Sequence, residues 1–243
     1  MQKGFAPTAS TAYNRRVSAI GNGITRQTLF AIPGQSEFIG APQNKKGKDM
    51  KKIRSLFQRN YDGDGLVRNE LVPGSEWVQN GEGVATRKFD GTCCKVESGR
   101  LFKRYDAKHG KQPPIGFIPA QDPDPVTGHW TGWIEVSDKP EDRWFVEAQD
   151  SSLPDGTYEL CGPKVQSNIE GFLKHVLIPH GKEILDAPRT FDELKVWFVG
   201  KNIEGIVWHR ENGEMVKIKA KDFGIKRGAQ DKGSAPAQQT TAQ

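Results

Sequence analysis

From residue 83 onward, apolar and β-branched residues fall into short alternating runs broken by Gly, Ser, Asn and Asp. A period of two bounded by turn residues is the mark of half-buried strands. Gly83-Val84-Ala85-Thr86-Arg87 reads as a strand that delivers Lys88, and Thr92 to Val96 and Leu101 to Tyr105 read as a hairpin turning at Ser98-Gly99. Further strands are expected at Trp144 to Ala148, Thr157 to Leu160, Gly205 to His209 and Met215 to Lys219. Residues 106–142 are dense in Pro, Gly and Asp and read as a long surface insertion, with Trp130-Thr131-Gly132-Trp133 near its end. Two helices are expected, one around Ile169 to Val176 and one over Phe191 to Phe198. The second opens on Thr190-Phe191-Asp192-Glu193, a capping-box pattern in which the side chains at the first and fourth positions satisfy orphan amides. Class α+β follows: an antiparallel-sheet core with flanking helices.

The ends look different. Residues 1–46 are rich in Gly, Ser, Thr, Gln and Asn with little periodicity, and are expected to form a flexible basic arm, with Leu29 to Ile32 as one candidate strand. Residues 228–243 lack large apolar side chains and read as a disordered tail, which leaves 47–227 as the folded domain. Asp62-Gly63-Asp64-Gly65 with Glu70 superficially matches a calcium loop but misplaces the glycine and lacks the third acidic ligand, so a glycine-rich turn is the better reading.

Composition narrows the picture further. The chain has 243 residues and a net charge of +5, which suits a polyanionic partner without requiring one. No run of about 18 apolar residues is present, so no membrane partner is expected, and the N-terminus lacks a secretory apolar core. The three cysteines, Cys93, Cys94 and Cys161, are odd in number and read as reduced and mostly buried, with no disulfide-linked partner; no CxxC pair or Cys/His spacing suggests zinc. A cytoplasmic location fits that chemistry.

The candidate chemistry centres on Lys88-Phe89-Asp90-Gly91. A Lys-x-Asp-Gly sequence alone is weak, but it is followed in order by Phe102-Lys103-Arg104, Asp155 to Leu160 with Glu159, Glu204-Gly205-Ile206-Val207, and Val216-Lys217-Ile218-Lys219. A lysine amine can attack a nucleoside triphosphate only when deprotonated. Moving its pKa from about 10.4 to about 7.5 costs about 4 kcal/mol, and burial, neighbouring cations and a divalent metal all push that way. Lys217 and Lys219 alternate around Ile218, so both leave one face of a strand, as two phosphate-gripping side chains require. Glu159 and Glu204 are the carboxylates that would hold Mg²⁺ or Mn²⁺. Gly91 would permit the tight turn at the lysine and Asp90 would order it through hydrogen bonds. Arg104 would meet ribose or phosphate. For the base, Ile206 or Val207 would form one wall and Phe172 the aromatic other.

This series resembles the motifs of the covalent nucleotidyltransferases, the RNA ligases, DNA ligases and mRNA-capping enzymes. Gly83 to Cys94, Tyr158 to Val165, His175 to Gly181 and Glu204 to Trp208 are similar, more narrowly, to the RNA ligase 1 family of human-type 5′-to-3′ RNA ligases and their bacterial and phage relatives. The resemblance spans about Lys51 to Ile225. It implies an ATP-grasp-like ligase adenylation domain and an ATP-dependent RNA ligase with Lys88 as nucleophile. ATP, Lys88, Asp90, Gly91, Arg104, Glu159, Phe172, Glu204, Ile206, Lys217 and Lys219 would form the nucleotide site, with Mg²⁺ or Mn²⁺ on Glu159 and Glu204. The partner implied is RNA bearing a 5′-phosphate and a 3′-hydroxyl. Two departures stand out: Arg87 precedes the lysine where many RNA ligases carry an acid, and Ser167-Asn168-Ile169 replaces an expected Gly-Asn-Pro. About 24 residues follow Lys219, too few and too polar for a five-stranded OB barrel, so no OB-fold domain is expected. That disfavours DNA nick sealing and guanylylation, which remain alternatives beside a non-catalytic nucleic-acid-binding relative. Without such a domain, Lys103, Arg104, Lys108 and Lys111 or the arm would have to meet the nucleic acid.

Overall fold

The computed structural model describes residues 50–228; the proposed arm over 1–46, the candidate strand at Leu29 to Ile32 and the tail beyond Gly228 lie outside them. Among the described residues, two main sheets and a small ribbon carry the architecture. The first sheet has four strands in the order β1 (Arg54–Ser55), β12 (Met215–Lys219), β11 (Gly205–His209) and β4 (Val84–Lys88), with only the β1–β12 pair parallel. The second is antiparallel with six strands: β10 (Val176–Pro179), β9 (Gly156–Cys161), β5 (Thr92–Glu97), β6 (Arg100–Ala107), β8 (Trp130–Glu135) and β7 (Ile118–Pro119). β2 (Phe57–Arg59) and β3 (Val67–Leu71) form the ribbon, and the Asp62–Gly65 segment between them is a turn. The fold is α+β, and no closed barrel occurs among the described residues.

Alternation places the two faces of the first sheet. Ile206 and Trp208 on β11 and Val216 and Ile218 on β12 point into a core shared with Leu194 and Phe198 of helix α3 (Phe191–Phe198) and with Val78 of the short helix α1 (Glu76–Gln79). All six of these side chains other than Val216 are fully buried, and Val216 is 1% exposed. The second sheet is backed by Phe145 and Ala148 of helix α2 (Arg143–Ala148), packed on Cys94, Leu101, Tyr158 and Leu160. The opposite faces of the two sheets are left to line a cavity.

Four expectations fail locally, each for a physical reason. Trp144 to Ala148 is helical, not extended. Pro140 starts a 3₁₀ turn with Glu141 and Asp142 in it, a proline-plus-acid helix start that outweighs the β-formers after it. Asp142 is 1% exposed; it accepts from the Ser137 N–H and hydroxyl at 2.9 Å each and pairs with Lys103. The expected helix at Ile169 to Val176 is absent. Gln166, Ser167 and Asn168 adopt left-handed φ of 46°, 56° and 52°, which breaks any helix, and Val176–Pro179 pairs instead with β9. The 106–142 insertion is shorter than its composition suggests: Trp130–Glu135 is a strand in full register with β6, and Trp133 is wholly buried. At α3, the Thr190 hydroxyl donates to Glu193 Oε2 at 2.7 Å rather than capping the backbone, so the helix forms without the capping box.

Candidate functional site

The Phe89–Gly91 link carries the chain from β4 in the first sheet to β5 in the second, and so sets Lys88 where the sheets meet. A cavity of about 320 Å³ opens there, walled by Thr86, Lys88, Val207 and Lys217 from one sheet and by Cys93 and Glu159 from the other. Gly91 is not one of the left-handed glycines. It is needed because a Cβ would overlap Leu160 O and stand 2.8 Å from Glu159 Cγ, so the reason is close approach to β9 rather than a tight turn.

Lys88 on β4, Gly205 on β11 and Lys219 on β12 form one cross-strand row. Glu204, just before that row, is 9% exposed; its Oε2 accepts from Lys88 Nζ at 2.6 Å and its Oε1 from Lys219. The next row on the same face is Thr86, Val207 and Lys217. Burial alone would lower the Lys88 pKa, but the Glu204 and Glu159 carboxylates, with Asp90, outweigh it and hold the amine above the ordinary 10.5. The same ammonium groups hold Glu204 below the usual carboxylate range against the cost of its burial. Among the chain's own residues, the expectation of a depressed nucleophile pKa is therefore reversed. The depressed lysine is Lys217, brought to about 8 by burial and then by Lys219 and Lys88.

Glu159 lies on β9. Its Oε1 accepts from the Gly91 N–H at 3.1 Å and its Oε2 meets His180 Nε2 at 2.9 Å. Arg104 is on the cavity wall, its guanidinium 4.7 Å over the Trp133 ring and donating to Met50 O. Asp90 is ordered through its backbone: its N–H donates to Glu170 Oε1 at 2.8 Å. Its carboxyl is raised by burial and by Glu204.

Two expected positions are not brought in. Ile206 is fully buried in the core on the far face of β11, and alternation hands the cavity wall to Val207. Phe172 is not among the cavity residues; its N–H and C=O are both bound by Asn168 at 3.0 Å. Lys103 is tied to Asp142, while Lys108 and Lys111 are exposed.

Several residues escaped the sequence reading. Glu170, whose side chain is 2% exposed, binds Arg87 at 2.8 Å and Arg227 at 2.9 Å besides the Asp90 amide. It explains how an arginine is tolerated before the lysine: Arg87 turns back onto Glu170 and Glu183. The left-handed Gln166–Asn168 turn precedes Glu170, and Gln166 Nε2 donates to Gly91 O at 3.4 Å. His209 lines the cavity two residues along β11 from Val207, where alternation could have placed it. Burial, then His180, lowers its pKa to about 4, and its Nε2 lies 2.9 Å from the Thr86 hydroxyl.

A family model described as RNA ligase 1 matches residues 137–237. RNA ligase 1 of Pongo abelii is 26% identical over an alignment of 219 residues, covering 58% of this chain and 67% of the relative. RNA ligase 1 of Danio rerio is 35% identical over 220 residues, covering 59% of this chain and 68% of the relative. The chain belongs to the RNA ligase 1 family. Within this family member, the segment matched by the model contains Glu159, His180, Glu204, Lys217 and Lys219, while Lys88 and Arg104 lie before it. Among the described residues, no helix is long and apolar enough to cross a membrane.

The donors available to a divalent ion are of two kinds. Glu159 and Glu204 each present carboxylate oxygens beside the cavity or beside Lys88, which fits an ion such as Mg²⁺ that completes its shell with water and nucleotide phosphates. Beside Glu159, however, stand a thiol and an imidazole, Cys93 and His180.

Proposed function

We propose that this chain is an ATP-dependent RNA ligase that joins an RNA 5′-phosphate to a 3′-hydroxyl through a lysyl-AMP on Lys88. The observation that carries the reading is the Lys88–Glu204–Lys219 chain of ion pairs at the edge of a nucleotide-sized cavity, in which Lys88 meets a carboxylate 116 positions away. A cross-strand row sets Lys88 and Lys219 on either side of Gly205, with Glu204 beside them.

In the reading, Nζ of Lys88 attacks the α-phosphorus of ATP, the bond to the bridging oxygen breaks, and pyrophosphate leaves. The amine must first give up its proton, which its ion pair with Glu204 opposes; a cation drawing that carboxylate away would favour the loss of the proton to water. Lys217 and Lys219 grip phosphates from the same strand face, and Arg104 meets the nucleotide or the RNA end from the other sheet. Ile53, Val207 and Met215 provide apolar wall for the base. Glu159 and Glu204 would hold Mg²⁺ or Mn²⁺, which when bound neutralises charge developing on the phosphates. An oxygen of the RNA 5′-phosphate then displaces Lys88 from AMP, and the 3′-hydroxyl finally displaces AMP from the activated end. An adjoining, net basic groove supports the polynucleotide part: Arg54, Arg59, Lys219 and Lys221, against Asp122, Asp124 and Asp222, line a depression of about 690 Å³ that shares Lys51, Lys52 and Lys217 with the cavity.

The test is incubation with α-labelled ATP and Mg²⁺ or Mn²⁺ after stripping bound AMP with pyrophosphate, beside Lys88→Ala and labelled GTP. Label retained on denatured wild type, from ATP alone and lost in Lys88→Ala, followed by sealing of 5′-phosphorylated RNA, is expected. Label from GTP would transfer the reading to guanylylation; no label from either would end the catalytic reading.

A further inference from the structure

Cys93 on β5 and Glu159 on β9 are register partners, so their side chains leave the same face of the six-stranded sheet. His180 follows β10, on the other side of β9. The sulfur of Cys93, a carboxylate oxygen of Glu159 and a ring nitrogen of His180 all lie within 4.8 Å of one another, and all three residues line the cavity. His180 Nδ1 is buried without a hydrogen-bond partner, and the hydrogen-bond contact of Cys93 Sγ is the thioether of Met50 at 3.8 Å, a weak one. The donors are thus of three different types, and two of them are held by little else.

Donor type decides which ion suits such a site. Mg²⁺ prefers an all-oxygen shell, whereas thiolate, imidazole and carboxylate together suit Zn²⁺, which takes three protein ligands and leaves a fourth position open. We propose that Cys93, Glu159 and His180 form a binding site for a borderline-soft divalent ion of the zinc class, and that filling it blocks self-adenylylation of Lys88. Binding releases the Cys93 S–H proton and moves the proton of the His180–Glu159 hydrogen bond to His180 Nδ1, which frees Nε2 and the Glu159 oxygen as ligands. Glu159 then no longer offers that oxygen to the cavity. The inhibitory half rests on the lysyl-AMP reading; the site itself does not.

The experiment uses the full chain, stripped of nucleotide with pyrophosphate and of metal with a chelator, and Co²⁺ as the probe. A thiolate-to-cobalt charge-transfer band is expected at one ion per chain, removed by Zn²⁺ but not by a large excess of Mg²⁺. Cys93→Ser should abolish the band and His180→Gln should weaken binding by ~10-fold or more. Cys161→Ala and Lys88→Ala should leave it unchanged. Absence of the band, or a band that survives Cys93→Ser in a protein with unchanged circular dichroism, overturns the site. In Mg²⁺, added Zn²⁺ should suppress labelling of wild type and spare Cys93→Ser; equal suppression of both overturns the inhibitory half. If unsupplemented wild type takes no label, the lysyl-AMP reading falls and takes the inhibitory half with it, while the cobalt band still decides the site.

Discussion

Lys217 should make the fold less stable at neutral pH, and Lys217→Met should relieve it. The amine sits on the cavity wall one row from Lys219 and Lys88, and burial together with those two charges brings its pKa from 10.5 to about 8. At roughly 1.36 kcal/mol per tenfold change, the ceiling on that penalty is about 3 kcal/mol; water at the cavity mouth screens part of it, leaving about 2 kcal/mol. The sign follows from proton binding. Between pH 8 and 10.5 the unfolded chain keeps the Lys217 proton and the folded chain has lost it, so wild-type stability climbs with pH across that window. Below pH 8 the whole penalty is present. Methionine keeps the stem and carries no charge, so Lys217→Met should melt roughly 4–8 °C higher at pH 7. The advantage should shrink as pH rises toward 10.5. Paired denaturant titrations of the two proteins at pH 7 and pH 10 provide the measurement. A variant no more stable than wild type at pH 7, or a gain that does not change with pH, would refute the account of this cavity as a place where positive charges are crowded and desolvated. The same variant should lose ATP labelling, a stability gained at the expense of function.

Ile206→Ala should cost about 2–5 kcal/mol in a denaturation assay, because Ile206 is fully buried in the core, whereas Val207→Ala should chiefly weaken nucleotide binding measured by labelling against ATP concentration. Glu170→Gln removes the charge that holds Arg87 and Arg227 beside the Lys88 loop; a stability loss of about 3 kcal/mol and slower lysine labelling at saturating ATP are expected, and a variant with wild-type stability would contradict the contacts. Thr190→Ala should change stability by less than about 0.5 kcal/mol, not the ~1 kcal/mol of a lost N-cap, since the hydroxyl bonds only the Glu193 side chain.

Strand periodicity and the order of chemistry-bearing residues were legible without coordinates because both are local. Alternation alone located β4, β5, β6, β9, β11 and β12, and so set Lys88, Glu159, Lys217 and Lys219 on strands and Glu204 at the start of one. Alternation does not say which face meets a core. Ile206 and Val207 look equivalent in sequence, and only the packing of α3 against one side of β11 separated them. The helix at Arg143–Ala148 went unread because a six-residue segment of β-formers has too little length to show its period, and its start signal lies outside it. Cys93 is remote along the chain from Glu159, Glu170 and His180, and no spacing rule links them. They became functional candidates through the register of β5 against β9 and the left-handed turn before Glu170. The charge state of Lys88 belongs to the same category. A lysine beside two further lysines suggests a depressed pKa, yet Glu204, Glu159 and Asp90 converge on it from three segments and reverse the sign. Electrostatic sums depend on distances, and distances between remote segments are set only by the folded chain.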